Sequence, residues 1–171
     1  VPIMISTVTD SGQATAREKM VGAAYLYFPL DYPWIVQQVI SCLQPRLFLM
    51  VETEIWPNFL RELARRAIPA ILVNGRISPR SFRGYRRLRP FMCRVLSAIT
   101  SFSMQTHLDA ERIIAIGADP SRVHITGNIK YDMAFEPLTG PDERTFRADL
   151  GIGEAPVFMA GSTHRGEEDI V

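Results

Sequence analysis

Glu52 and Glu54 stand two residues apart, after an apolar run and directly before Trp56-Pro57, so two carboxylates fall where a strand gives way to a helix. Leu47-Phe48-Leu49-Met50-Val51 predicts a buried parallel strand, and the apolar spacing from Phe59 to Ala67 predicts a helix opened by Pro57. In open α/β sheets ligands bind beyond the carboxyl ends of the strands, so acids at such a point suit chemistry and are costly as decoration. They could stabilise a developing cation, or cap the helix; the residue types leave both open. Lys130 is the second candidate, one of two lysines beside 17 arginines. Its compact ammonium, following Thr126-Gly127-Asn128 where a strand meets a tight turn, suits a point contact to phosphate or carboxylate; a solvated loop lysine is the plain alternative.

Arg76 and Ser78 lie just beyond another expected strand end and read as pocket residues. Arg80, Arg83, Arg86, Arg87, Arg89 and Arg94 follow, interleaved with Phe82, Tyr85, Leu88 and Phe91. On a helix Arg80, Arg83 and Arg87 share one face, either a solvated surface or an anion-binding stripe for a phosphorylated lipid at a membrane. Nucleic acid fits poorly, because no recognised motif accompanies the arginines. His107 is expected to start a helix and His124 to sit in a buried strand. Ser162 and His164, at Gly161-Ser162-Thr163-His164, lie where a strand turns into a helix whose backbone donors could receive a phosphate, or simply form a cap. Thr9-Asp10-Ser11-Gly12 is a similar turn. The three histidines are not spaced for a metal site.

These residues need a scaffold that brings strand ends together. Strand-like runs fall near 2 to 8, 24 to 28, 47 to 51, 69 to 74, 99 to 105, 122 to 126 and 156 to 161, with helical patterns near 12 to 20, 33 to 43, 57 to 67, 79 to 98, 107 to 116 and 142 to 150. That alternation predicts an α/β fold with a doubly wound, mostly parallel, Rossmann-like sheet. Gly117 marks a helix end and Asp119-Pro120-Ser121 a turn, while Pro90 divides the segment after Ser78 into a kinked helix or two short ones. Glu136 to Pro141 is the best linker segment, giving a domain over 1–135, a linker over 136–155 and the opening of a second domain over 156–171.

With 171 residues, 47% of them apolar and 22% charged, the composition is that of a globular domain. A net charge of +1 argues against a generally nucleic-acid-binding surface. Cys42 and Cys93 have no paired spacing, which fits a reducing compartment. No apolar run approaches the roughly 20 residues that span a bilayer. Residue 1 is Val, inside an expected strand, and the last residues stop within an expected helix, which reads as a fragment.

Four motifs together carry a family likeness: Glu52-Thr53-Glu54-Ile55-Trp56-Pro57-Asn58, Val73-Asn74-Gly75-Arg76-Ile77-Ser78, Ser81-Phe82-Arg83-Gly84-Tyr85 and Thr126-Gly127-Asn128-Ile129-Lys130-Tyr131-Asp132. In order and spacing the chain resembles the Kdo transferases, bacterial enzymes that move 3-deoxy-D-manno-octulosonic acid (Kdo) from CMP-Kdo onto lipid A precursor in lipopolysaccharide synthesis. Tyr27 to Pro33 and Gly161 to Glu168 extend the likeness. It implies an inverting, metal-independent, cofactor-free GT-B glycosyltransferase of two Rossmann-like domains, working at the cytoplasmic face of the inner membrane. By that resemblance Glu52 and Lys130 stabilise the transition state; Glu54 is expected to support Glu52 by hydrogen bonding, and it is grouped with Arg76, Ser78, Asn128, Ser162 and His164 as substrate-binding. The family's general base is a glutamate in a Ser-Val-Gly-Glu motif, which this sequence does not contain, so the 171 residues are expected not to transfer Kdo alone. Another GT-B sugar-nucleotide enzyme and a non-catalytic flavodoxin-like binding module remain the alternatives.

Overall fold

Alternating apolar runs and helix-capping signals resolve into thirteen regular elements in the computed structural model, which describes residues 2–132, 140–163 and 166. In chain order they are β1 (Met4–Thr7), α1 (Asp10–Lys19), β2 (Ala24–Tyr27), α2 (Pro33–Leu43), β3 (Phe48–Val51), α3 (Pro57–Arg65), β4 (Ala70–Gly75), α4 (Pro79–Arg87), α5 (Arg89–Leu96), β5 (Ser101–Met104), α6 (His107–Ile116), β6 (Val123–Ile125) and α7 (Gly140–Asp149). The chain falls into two units, Val1–Asp132 and Met133–Val171. Every strand pairing is parallel, and the strands form two ladders, β1-β2 and β3-β4-β5-β6. The parallel α/β architecture is the expected one, although β2 and β3 are not hydrogen-bonded neighbours in a single sheet.

Order along the larger ladder explains its burial. Each step from β3 to β6 moves the same way across the sheet, and right-handed connections then bring the intervening helices to one face. On that face Met50, Leu72, Phe102 and Met104 are buried, against Leu60 and Leu63 of α3, Met92, Val95 and Leu96 of α5, and Ile113 and Ile116 of α6. On the other face Leu49 and Val51 are 54% and 60% exposed. The fully buried strand expected at 47–51 is therefore a half-buried edge strand. His124, expected in a buried strand, is exposed for the same reason, since β6 is the opposite edge.

Local signals act as read. Leu88 separates α4 from α5, one residue ahead of the Arg89-Pro90 start. Gly117 ends α6 at φ 125°, and a side chain there would lie 2.4 Å from Cys93 Sγ, so glycine meets both the turn and the close approach. Residues 156–161 form no strand: they have no paired neighbour among the described residues, and a strand exists only through its ladder.

Asp31, in the loop before α2, caps α3 from a distance. Its carboxylate accepts the backbone N–H of Asn58 at 3.0 Å and of Phe59 at 2.8 Å, two donors that the helix itself leaves unbonded. Beside it Phe28 packs on Trp56 and Phe59, with ring centroids 5.1 and 4.9 Å apart. At the other end of α3, hydrogen bonds from Arg65 and Arg66 hold the Glu62 carboxyl down to about 2, and Arg66 also donates to Ser41 Oγ of α2 at 2.6 Å. Asp31→Ala is expected to lower stability by about 1 to 2 kcal/mol, seen as a lower denaturation midpoint with unchanged slope; an unaltered midpoint would rule out the cap.

Candidate functional site

Parallel pairing places the carboxyl ends of β3, β4, β5 and β6 on one side of the sheet, so the segments beginning at Glu52, Arg76, Gln105 and Thr126 share that rim. Glu52 follows β3 directly. Its N–H donates to Val73 O at 3.0 Å, continuing the ladder one residue past the strand, and its backbone then takes φ 61°. A non-glycine residue in the left-handed region costs roughly 1 kcal/mol, and such strain gathers where a side chain must be aimed. Glu52 is exposed, as is Glu54, whose Oε2 accepts Trp56 Nε1–H at 3.1 Å. The second carboxylate is thereby committed to the indole that opens α3.

Thr53 joins this loop to the next. Its hydroxyl accepts the Arg76 N–H at 3.1 Å and donates to the Arg76 carbonyl. One residue later α6 grips the same loop from both sides: the Ile77 N–H donates to Asp109 Oδ1 at 2.8 Å, and Arg112 donates to Ile77 O at 2.6 Å. Asp109 is buried, and Thr106, the cap of α6, donates its hydroxyl to the other carboxylate oxygen. Arg76 thus has a pinned backbone and an exposed side chain. Ser78 caps α4, accepting the Ser81 N–H at 3.1 Å, so its hydroxyl is engaged locally.

Lys130 lies in a short 3-10 turn, Ile129–Asp132, and is exposed. Asn128 Oδ1 accepts its N–H at 3.1 Å, so Asn128 shapes the turn. The N–H of Ile129 donates to Asn74 Oδ1 at 3.2 Å, and Gln105 Nε2 donates to Asn74 O at 3.0 Å. Ser162, in the second unit, is exposed with φ 58°, and His164 lies outside the described residues. The rim therefore connects Glu52, Arg76 and Lys130 through hydrogen bonds, whereas Ser162 belongs to the other unit.

Residue type alone does not single out Thr53, Asn74, Asp109 or Arg112. Thr106-His107-Leu108-Asp109 carries a capping signal, a threonine with an acid three residues later, and Asn74-Gly75 is a turn dipeptide. Both signals foretold local geometry; neither foretold which distant backbone the side chain would hold.

On α4, Arg80, Arg83 and Arg87 are exposed as the helical spacing predicts, and no residue of this helix is buried. Between α4 and α6 runs an open groove of about 450 Å³, with Phe82, Leu108 and Ala115 supplying apolar surface and Arg83 and Arg112 supplying charge.

Residues 1–133 match the family model described as 3-deoxy-D-manno-octulosonic-acid transferase (kdotransferase). The chain is 36% identical over 172 residues to a bifunctional glycosyltransferase/methyltransferase of Fusobacterium nucleatum, covering 99% of this chain and 27% of that protein. It is 32% identical over 174 residues to the 3-deoxy-D-manno-octulosonic acid transferase of Haemophilus influenzae, covering 99% and 40%. A probable mitochondrial 3-deoxy-D-manno-octulosonic acid transferase of Arabidopsis thaliana is 26% identical over 172 residues, covering 99% and 38%. The chain spans two fifths or less of the length of each of these relatives.

Proposed function

The chain belongs to the Kdo transferase family, and from that premise we propose that its protein transfers Kdo from CMP-Kdo to a lipid A precursor at the cytoplasmic face of a bacterial inner membrane, with these residues forming most of the acceptor-side domain. The observation that carries the reading is the rim itself, where the strand-end glutamate and lysine of the matched motifs are joined by one hydrogen-bonded path. In an inverting transfer the acceptor hydroxyl attacks the anomeric carbon of Kdo as the bond to the CMP phosphate breaks on the opposite face. Positive charge develops on the sugar and negative charge on the departing phosphate. Glu52 is the anion for the former. Lys130 is the cation for the phosphate or the Kdo carboxylate, and Arg76 a further anion contact. Glu54 fixes Trp56 beside them, Ser78 and Asn128 set the loop backbones, and Ser162 and His164 are assigned to donor binding in the second unit. No base for the acceptor hydroxyl is assigned among these residues.

Full-length protein supplied with CMP-Kdo and a lipid A precursor is expected to release CMP and form a Kdo-lipid product detectable by mass spectrometry. Transfer from a different sugar nucleotide with none from CMP-Kdo, or binding without turnover, would replace this reading with one of its two rivals.

Arg80, Arg83 and Arg87, next to the groove between α4 and α6, suit an acceptor that is both acylated and phosphorylated. Among the described residues no helix is long and apolar enough to cross a membrane, so a surface contact of this kind would rest on charge and partial burial. Substituting all three arginines by glutamine is expected to weaken binding to anionic vesicles by about 1 kcal/mol per residue and to raise the acceptor KM, with the donor KM little changed. Raising salt should imitate the substitution, because exposed charges are screened over roughly 10 Å at 0.1 M. Unaltered vesicle binding and acceptor kinetics would leave the stripe a solvated helix face.

A further inference from the structure

Strand order alone holds Glu52 and Lys130 apart. Glu52 follows β3 and Lys130 follows β6, the two edges of the four-stranded ladder, and three strand spacings amount to about 14 Å. A turn that continued straight from β6 would leave the lysine on the far side of the sheet from the glutamate. Yet the Ile129 N–H reaches Asn74, at the end of β4, and so the turn crosses the end of β5 and returns to the strand beside β3.

We propose that Asn74 is a positioning residue that locks the Lys130 turn to the strand bearing the Glu52 anchor, bringing the two charges of the site into one frame. This rests on the functional reading above. The β4–β5 register shifts between Leu72 and Gly75, so the ladder is irregular where Asn74 lies, and irregularities of this kind re-aim side chains next to sites. Asn74 takes φ 53°, a left-handed conformation that asparagine tolerates better than most residues. Gly75 follows, and a Cβ there would lie 2.6 Å from Met104 Sδ, so the Met104 side chain of β5 packs directly over this glycine.

Asn74 is 6% exposed, and each of its backbone and side-chain acceptors has a separate task. The strand end is held without the side chain: Gln105 Nε2 donates to Asn74 O, and the Gln105 N–H donates to Gly75 O at 2.9 Å. Oδ1 is left for the Ile129 N–H. On the other flank, Val73 O receives the Glu52 N–H. Two consecutive residues of β4 therefore anchor Glu52 and the residue before Lys130. An error in that frame would change the separation of two charges that must act on the same transition state, and a misplacement of about 1 Å can cost about 100-fold in rate.

Asn74→Gly and Asn74→Asp in the full-length protein separate this role from a merely structural one. Glycine keeps the left-handed backbone and removes the acceptor; aspartate keeps an acceptor oxygen. In Asn74→Gly the Ile129 amide should exchange with solvent about 10-fold faster, and kcat should fall about 10- to 100-fold with both KM values little changed. Asn74→Asp should restore protection of Ile129 and at least part of kcat. Combining Asn74→Gly with Lys130→Ala should reduce kcat no further than Lys130→Ala alone, because the first change acts through the second residue. Native kcat in Asn74→Gly, an unchanged Ile129 exchange rate, or fully additive losses in the double variant would overturn the inference. Should Lys130→Ala itself keep native turnover, the role given to Lys130 falls and with it the effect of Asn74 on rate, while the Kdo-transfer reading stands, and Ile129 exchange alone then decides whether Asn74 holds the turn.

Discussion

Glu52→Gln is expected to lower the turnover of the full-length protein by about 100- to 1,000-fold while the domain folds normally. Glutamine is nearly isosteric and meets the same backbone demand at φ 61°, so the change removes the charge and little else. The loss should appear in kcat, with modest effects on either KM, because an anion that answers charge developing on the sugar acts mainly in the transition state. Glu52→Gly supplies a second, opposite signature. Releasing a left-handed non-glycine residue relieves roughly 1 kcal/mol of strain, partly offset by the added freedom of glycine in the unfolded chain, so this variant should be as stable as the parent or slightly more so, and inactive. A stable but inactive glycine variant would show the strained backbone to be kept for function. Near-native kcat in the glutamine variant would remove Glu52 from the chemistry.

Lys130→Ala is expected to cost a comparable factor in kcat, with no change in the denaturation midpoint, since the side chain is exposed. Lys130→Arg should recover little. A planar guanidinium on a different stem cannot occupy the position of a compact ammonium whose backbone is set by Asn128 Oδ1 and, through Ile129, by Asn74. Recovery of most of the rate with arginine would show that Lys130 supplies only general positive charge to the rim, and unchanged kcat in the alanine variant would show that it supplies none that matters.

Much of this was legible beforehand because it is encoded within short windows. The proline that opens α3, the glycine that ends α6 and the break ahead of Pro90 act through neighbouring backbone, and each lies where residue type placed it. Exposure was less legible. Val51 and His124 sit in sequences that suit either a central or an edge strand, and the choice depends on strand order, which no local pattern specifies. The segment at 156–161 shows the same limit, since alternation or apolarity makes a run capable of pairing without providing its partner.

The sequence by itself determined the chemistry available and its approximate address: two acids at one strand end, a lysine at another, an arginine-rich helix between them, and four motifs in the order of the Kdo transferases. Tertiary structure alone decided which of these belong together. It set Thr53 and Asp109 on the backbone around Arg76, and folded the Lys130 turn back over β4 by a side-chain acceptor. The physical reason is the range of the interactions. Caps and turns are satisfied within a few residues and can be read in place, whereas the Ile129 N–H finds its acceptor 55 residues earlier, where a register shift and a left-handed backbone at Asn74 present it.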